Sequence, residues 1–221
     1  VLCAASWKLD WLTAALPLFW SIVGAVWVLG AALLLRRGVP GWADIPKTVR
    51  VVGGVLALWA AWLAVAQSRF IGINFLLSIL ALVWMADIAA YFAGRAFGMR
   101  IVKVKLAPSI SPGKSWEGVW GGMLGIVALA LIWIIFDARW QPSVPSLYSR
   151  VVAQNWLLLP IVVLFMGAMS VAGDLVESLI KRSVGVKDSS GLLPGHGGVL
   201  DRVDALLPTL PLAMMLNTLL A

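Results

Sequence analysis

The sequence predicts an all-α fold, a polytopic bundle of about six transmembrane helices forming one membrane domain over residues 1–221. Hydrophobic residues make up 62% of the chain, charged residues only 12%, and the mean hydropathy is +0.97. A soluble domain is about half apolar and a quarter charged, so this composition indicates a membrane protein. The net charge of +7 is then explained by membrane orientation and headgroup contact, and we expect no nucleic-acid partner.

Six runs without charged residues mark the predicted spans. They are Trp11–Leu35, Val51–Ala66, Phe70–Ala86, Gly118–Phe136, Val151–Gly173 and Ala205–Ala221. A helix needs about 20 residues to cross the hydrocarbon, so the shorter runs must include flanking residues. We expect the third run to continue through Asp87 to about Ala93, and the fifth through Asp174 to about Ser183. Because the chain starts at Val1 without a signal-peptide layout, we also expect further spans to precede it.

Basic residues alternate between the two sides of these spans. Three loops are rich in them, and they carry Arg36, Arg37, Lys47 and Arg50; Arg95, Arg100, Lys103, Lys105 and Lys114; and Lys181, Arg182, Lys187 and Arg202. The other side has only Lys8, Arg69, Arg139 and Arg150. The positive-inside rule therefore predicts that the three rich loops face the cytoplasm.

Charge and glycine are concentrated between Gly173 and Asp204. This segment holds five of the ten carboxylates and the only histidine, His196. Asp174, Asp201 and Asp204 would form an oxygen-rich site that suits Mg²⁺, whereas a single cysteine and a single histidine exclude the common zinc sites.

Each of these acids also has a structural explanation. Ser170, Asp174, Glu177, Ser178 and Lys181 fall within about a 100° arc of one helix face, which must meet protein or water. That face could serve only to join helices, with Lys181 and Arg182 reaching the interface. Asp201 and Asp204 could simply cap the last helix. Asp87 could equally be a polar contact between helices.

Two loops could bind phosphate. Ser189 to Gly198 reads S-S-G-L-L-P-G-H-G-G between Lys187-Asp188 and Asp201-Arg202, and its backbone amides could hold phosphate, or the loop could be a plain turn. His196 would contact phosphate or be structural. Ser111 to Gly118 reads S-P-G-K-S-W-E-G, but Pro108 stands where a P-loop requires glycine. Lys114 could still bind phosphate, and Ser115 could alternatively be a helix N-cap.

The stretch from Ser178 to Asp204 resembles the signature of the phosphatidate cytidylyltransferases, the CDP-diacylglycerol synthases. The matching positions are Ser178, Lys181-Arg182, Lys187-Asp188, His196-Gly197-Gly198, Asp201-Arg202 and Asp204, with Asp174 four residues upstream. Ala86 to Tyr91 and Lys105 to Gly118 resemble the same family. The motifs extend from about Val83 to Asp204, whereas residues 1–70 are similar only in being hydrophobic.

The resemblance implies a bacterial inner-membrane enzyme, with its active site facing the cytoplasm, that converts CTP and phosphatidic acid to CDP-diacylglycerol and pyrophosphate. It also implies Mg²⁺, a second cation that is monovalent, such as K⁺, contact with membrane lipids, and a homodimer. The catalytic residues would be Asp174, Asp201, Asp204 and Lys181, and the three aspartates would bind the metal. Substrate would contact Ser178, Arg182, Lys187, Asp188, His196, Gly197, Gly198, Arg202, Ser111, Lys114, Ser115 and Asp87.

Three other functions are alternatives to this one. A CDP-alcohol phosphotransferase would contain D-G-x-x-A-R, which this sequence lacks. A CTP-dependent polyprenol kinase remains an alternative because it uses the same nucleotide. A membrane transporter would show repeated halves with broken helices, whereas here the polar cluster lies near one face.

Overall fold

The computed structural model describes residues 1–192, 194 and 197–220. Within these residues the chain forms eight α-helices and one 3-10 helix and no strand. They are α1 Leu2–Lys8, α2 Pro17–Ala43, α3 Lys47–Ile71, α4 Ile73–Phe97, α5 Trp116–Trp140, α6 Leu147–Gln154, α7 Leu158–Ser183, η1 Leu200–Arg202 and α8 Leu206–Leu219. The predicted all-α membrane fold is confirmed.

Five helices are long and apolar enough to cross a membrane: α2, α3, α4, α5 and α7. Helices α3, α4, α5 and α7 have 25 or 26 residues, so at 1.5 Å per residue each is about 38 to 39 Å long, more than the roughly 30 Å hydrocarbon core. Helix α2 is interrupted at Gly38, whose φ of 67° is not helical, and its continuous part from Pro17 to Arg37 is about 32 Å long. All five overlap predicted spans, and α7 ends at Ser183 as expected.

The sixth predicted span is shorter than expected. Helix α8 has 14 residues, or about 21 Å, which is less than the hydrocarbon thickness. It contains Pro208 and Pro211, and every residue from Pro208 to Met214 is buried. The apolar run that suggested a span therefore packs inside the bundle, because its side chains contact other helices.

Two boundaries also differ from the predictions. Helix α2 begins at Pro17 instead of Trp11, and proline favours the first helical turn because it lacks an N–H donor. The fifth run divides into α6 and α7 at Asn155, whose backbone is extended and whose side-chain Oδ1 accepts a hydrogen bond from the Leu157 amide at 2.9 Å. An apolar run without charge does not reveal such a break.

Helix α7 is the central element of the fold. In its apolar 18-residue stretch 50% is buried inside the protein, whereas only 17% is buried in the corresponding stretches of α2 and α5. Beside it, α4 and α5 pack with their backbones in close contact. A Cβ atom added to Gly121 would lie 2.1 Å from Ala93 Cβ, and one added to Gly125 would lie 2.5 Å from Ala89 Cβ. Glycine is needed at both positions, and this packing holds the start of α5 beside the end of α4.

Candidate active site

A cavity of about 490 Å³ lies among α4, α5, α7 and the segment that precedes α5. Four of the predicted site residues line it, namely Asp87, Lys114, Ser115 and Asp174. Most of its remaining wall is apolar or glycine, including Ala86, Gly118 and Met123. Residues from three separate motifs of the sequence therefore meet at one cavity.

The charged centre of the cavity is an ion pair between Lys114 and Asp174, which are 60 residues apart in the sequence. Ser178, one turn further along α7, donates from Oγ to Asp174 Oδ1 at 3.2 Å. Ser115 accepts a hydrogen bond from the Gly118 amide at 3.2 Å, so its predicted N-cap role is confirmed. The same cap fixes the lysine that precedes it at the cavity wall.

Asp204 belongs to the same electrostatic neighbourhood. Burial, and then the negative charge of Asp174, raise the pKa of Asp204 to about 7, although a hydrogen bond from the Ala205 amide at 2.6 Å opposes this. The charges of Glu177 and Asp87 act in the same direction as that of Asp174. Asp204 does not cap α8, since the N-cap is Ala205. The N-terminal capping explanation is therefore wrong for Asp204.

Asp201 has different partners. Its carboxylate accepts hydrogen bonds from Lys181 Nζ at 2.6 Å, from the Gly198 amide at 2.6 Å, and from the Ser189 amide and Oγ, both at 2.9 Å. Burial raises the pKa of Asp201, but these donors outweigh it and hold the pKa below its usual range. Asp201 therefore ties the glycine loop to the end of α7.

Glu177 completes this second cluster. Its side chain is buried, with 5% of the residue exposed, and it forms an ion pair with Lys181. Lys181 thus lies between two carboxylates, which hold its ammonium in one position. The predicted polar face of α7 is directed into the protein, as its composition required.

The acidic residues fit a magnesium ion only in part. Among the described residues, no three histidine, cysteine or acidic side chains converge closely enough to hold a metal, so Asp174, Asp201 and Asp204 acting as one ligand set stays a prediction. Mg²⁺ is usually held by one or two carboxylates together with water and substrate phosphates. Asp174 and Asp204, with oxygen donors and coupled charges, fit that requirement.

The other predicted binding residues that the structure describes do not line the cavity. Arg182 donates from Nε to the Ile110 carbonyl and from Nη1 to the Val186 carbonyl, both at 3.2 Å, so it joins two loops. Ser111 lies in a turn in which its amide donates to the Ala107 carbonyl at 2.8 Å. The exposed residues are Lys187, Asp188 and Arg202. His196 lies outside the described residues.

Two glycines of the signature are explained by contacts. Gly197 has φ +77°, which favours glycine, and a Cβ there would lie 2.7 Å from Asp201 Oδ2. A Cβ on Gly198 would lie 2.0 Å from Ser189 Oγ. Glycine at both positions therefore allows the loop to close around the Asp201 carboxylate. These contacts explain the two glycines without a role in binding phosphate.

Sequence reasoning assigned no role to Glu117, although it stands in a motif quoted above. Its carboxylate is buried and accepts hydrogen bonds from the amides of Ile101 at 2.9 Å, Val102 at 2.8 Å and Met99 at 3.2 Å. It therefore holds the basic loop between α4 and α5. An acid in the first turn of a helix is common, so this role of Glu117 could not be recognised from sequence alone.

These observations define a polytopic membrane protein whose candidate site combines two carboxylates and a lysine in a cavity between the helices. The sequence model of the cytidylyltransferase family matches residues 2–220, and the chain belongs to that family.

Curated relatives share substantial identity. A phosphatidate cytidylyltransferase of Haemophilus influenzae is 49% identical over 203 residues, which is 86% of this chain and 65% of the relative. A phosphatidate cytidylyltransferase of Pseudomonas aeruginosa is 40% identical over 189 residues, which is 84% of this chain and 63% of the relative. A phosphatidate cytidylyltransferase of Brucella suis is 41% identical over 150 residues, which is 68% of this chain and 49% of the relative. The chain thus spans less than two thirds of the length of these relatives.

Proposed function

We propose that the protein is a phosphatidate cytidylyltransferase, which joins the cytidylyl group of CTP to phosphatidic acid and releases pyrophosphate. The observation that carries this proposal is the meeting of Lys114 and Asp174 at one cavity, with Asp87 on its wall and Asp204 within electrostatic reach. These residues come from three motifs that resemble the family, and the relatives that bear this name share 40% to 49% identity.

The reaction requires positioning and charge neutralisation more than proton transfer. An oxygen of the lipid phosphate forms a bond to the α-phosphorus of CTP while the bond from that phosphorus to the bridging oxygen breaks. Pyrophosphate leaves with the electron pair. The attacking phosphate is already an anion near neutral pH, so no strong general base is needed. This agrees with a cavity whose described polar residues are acids, a lysine, an arginine, a serine and a tyrosine.

The residues would divide this work between them. Asp174 and Asp204 would hold Mg²⁺, which when bound neutralises phosphate charge. Lys114 and Lys181 would bind phosphate oxygens, and Glu177 and Asp201 would keep Lys181 in place. A second cation such as K⁺, a homodimer and a location in the bacterial inner membrane with the cavity facing the cytoplasm belong to the same proposal.

An isotope experiment tests the reaction. The protein purified in detergent is given phosphatidic acid and CTP labelled on its α-phosphate. We expect the label in the lipid phase together with an equal amount of pyrophosphate, and loss of both products in EDTA. Transfer of label from the γ-phosphate, with release of CDP, would instead identify a lipid kinase. No transfer from either position would contradict the proposal.

The cavity assignment is tested by substitution. Asp174→Asn keeps the shape of the side chain and removes its charge, so we expect turnover to fall by roughly 100-fold or more, the scale of one electrostatic contact in catalysis. Asp44→Asn is the matched control, because Asp44 is an exposed acid at the end of α2. Thermal unfolding checks that both variants are folded. Wild-type turnover in a folded Asp174→Asn protein would remove this residue from the mechanism.

A further inference from the structure

The loop that follows α4 begins with a segment that combines cations with exposed apolar side chains. Residues 99–105 read M-R-I-V-K-V-K, and no acid occurs between Asp87 and Glu117. Ile101 is 70% exposed and Val104 is 65% exposed. None of residues 99–105 lines the cavity, so this exposure is not exposure into the candidate active site. The basic residues of the segment are exposed as well, namely Arg100, Lys103 and Lys105.

Hydrogen bonds to α5 fix the depth of this segment in the membrane. The Glu117 carboxylate, in the first turn of α5, accepts from the amides of Ile101 at 2.9 Å and Val102 at 2.8 Å. Trp116 is the first residue of the same helix and is exposed. Exposed tryptophan at the end of a membrane-spanning helix is typical of the headgroup region. The segment therefore starts at the level of the lipid headgroups.

The other end of the segment is attached to the body of the protein. The Leu106 amide donates to the Lys114 carbonyl at 3.2 Å, and Leu106 packs against an apolar cluster that contains Ile110 and Leu179. Ile101 and Val104 lie close to these attachment points in the sequence, but neither belongs to an apolar cluster of the described residues. Two large apolar side chains held in an exposed position are unfavourable in water and favourable in the interfacial region of a bilayer.

The cations of the segment are available to bind an anion. In the part of the chain that the structure describes, no carboxylate lies within ion-pair distance of Arg100, Lys103 or Lys105. Each basic residue next to a membrane surface enriches anionic lipid about fivefold. A nucleotide in the cytoplasm could also bind these cations, but it would leave Ile101 and Val104 exposed to water. A bilayer that contains anionic lipid satisfies both the charged and the apolar side chains.

We infer that residues 99–105 form an interfacial segment that inserts Ile101 and Val104 among the lipid headgroups and binds the phosphates of anionic lipids through its three basic residues. The segment is joined to the cavity wall by the hydrogen bond between Leu106 and Lys114, so it holds that wall at headgroup depth. It does so whatever reaction the cavity carries out.

A fluorescent label at Val104 tests the insertion. In the Cys3→Ser background, Val104→Cys is labelled with bimane and the full chain is placed in nanodiscs of phosphatidylcholine and phosphatidylglycerol. We expect aqueous iodide to quench this label at least roughly threefold less than a label at Ser109→Cys, an exposed polar position in the same loop, because interfacial burial excludes iodide. Iodide quenching as strong at Val104→Cys as at Ser109→Cys would overturn the insertion.

Brominated lipids test the preference for anionic headgroups. At equal mole fraction, brominated phosphatidylglycerol should quench the Val104 label at least about threefold more than brominated phosphatidylcholine, because the cations enrich anionic lipid around it. Changing Arg100, Lys103 and Lys105 together to glutamine should abolish the difference. Arg69→Gln, at an exposed position in the last turn of α3, should preserve it, and thermal unfolding checks that both variants are folded.

Two results would contradict this role of the cations. One is a preference for phosphatidylglycerol that persists after all three are neutralised. The other is protection of the Val104 label from iodide by CTP in nanodiscs of phosphatidylcholine alone, which would assign the cations to the nucleotide. Neither measurement depends on turnover, so an inactive protein that gives the expected quenching would retain the interfacial segment while the proposed reaction would fall.

Discussion

Glu117 illustrates how a buried charge is stabilised at the scale of one residue. Only 4% of the residue is exposed, and in the described part of the chain no lysine or arginine forms a salt bridge with it. Three backbone amides supply the compensation, since hydrogen bonds to a carboxylate offset part of the cost of burying its charge. The interaction also fixes residues 99–102 at the start of a loop that carries Arg100, Lys103 and Lys105.

Replacing this carboxylate should loosen the loop. Glu117→Gln presents an amide NH₂ to amides that are themselves donors, so we expect it to cost about 1 to 3 kcal/mol. Thermal unfolding in detergent measures the loss, and limited trypsin digestion should cut faster after Arg100 or Lys103. Asp44→Asn again serves as the control. Unchanged melting and cleavage would show that the three hydrogen bonds do not stabilise the loop.

At the scale of elements, Asp137 joins the ends of three helices away from the cavity. Its carboxylate accepts from Ser146 Oγ and Ser149 Oγ, both at 2.6 Å, and from Asn74 Nδ2 at 2.9 Å. These residues lie at the start of α4, at the end of α5 and in the first turn of α6. One side chain therefore fixes where the α5–α6 connection turns back toward the bundle.

Asp137→Ala should lower stability without changing the site. It removes the carboxylate that accepts from the Ser146 amide and Oγ, from Ser149 Oγ and from Asn74 Nδ2, so we expect a loss of about 2 to 4 kcal/mol, seen as a lower melting temperature. Substrate KM values should remain at wild-type levels below the new transition, because the cavity lies at the other ends of α4 and α5. Ser149→Ala, which removes one of these donors, should lose less. A changed KM in a folded Asp137→Ala protein would indicate coupling between the two ends.

At this scale the sequence predicts the helices well, because lipid admits only backbone that satisfies its own hydrogen bonds. Absence of charge over about 20 residues therefore indicated all five long helices. The same signal fails for α8, whose apolar residues are buried by protein instead of lipid. It also misses the break at Asn155, since one capping hydrogen bond leaves no trace in hydropathy.

Across the whole molecule, the sequence predicted four of the residues that line the cavity but not how they pair. Asp174 could be selected because charge in an apolar run is costly, and Lys114 because it stands in the segment S-P-G-K-S-W-E-G. Asp201 accepts hydrogen bonds from Lys181 and the Ser189 amide and belongs to a different cluster from Asp174. This pairing depends on how the glycine loop folds, which the sequence does not reveal. Arg95 was counted only as an orientation signal, and its place on the cavity wall required the position of α4 against its neighbours.

The orientation of the whole molecule in the membrane decides whether the cavity can receive a cytoplasmic nucleotide. The basic loop between α4 and α5 and the segment between α5 and α6 are separated by one crossing, α5. The charge distribution predicts that the first loop is cytoplasmic and the second is not. Single cysteines can test this after the native exposed cysteine is removed by Cys3→Ser.

Lys103→Cys and Ser143→Cys place one thiol in each of these segments at an exposed position. In intact spheroplasts, a membrane-impermeant maleimide should label Ser143→Cys fully and Lys103→Cys only after the membrane is permeabilised. The Cys3→Ser protein without a new cysteine gives the background. The reverse pattern would place Lys114 and Asp174 at the side that lacks CTP, and the proposed reaction would then have no nucleotide, whatever the geometry of the cavity.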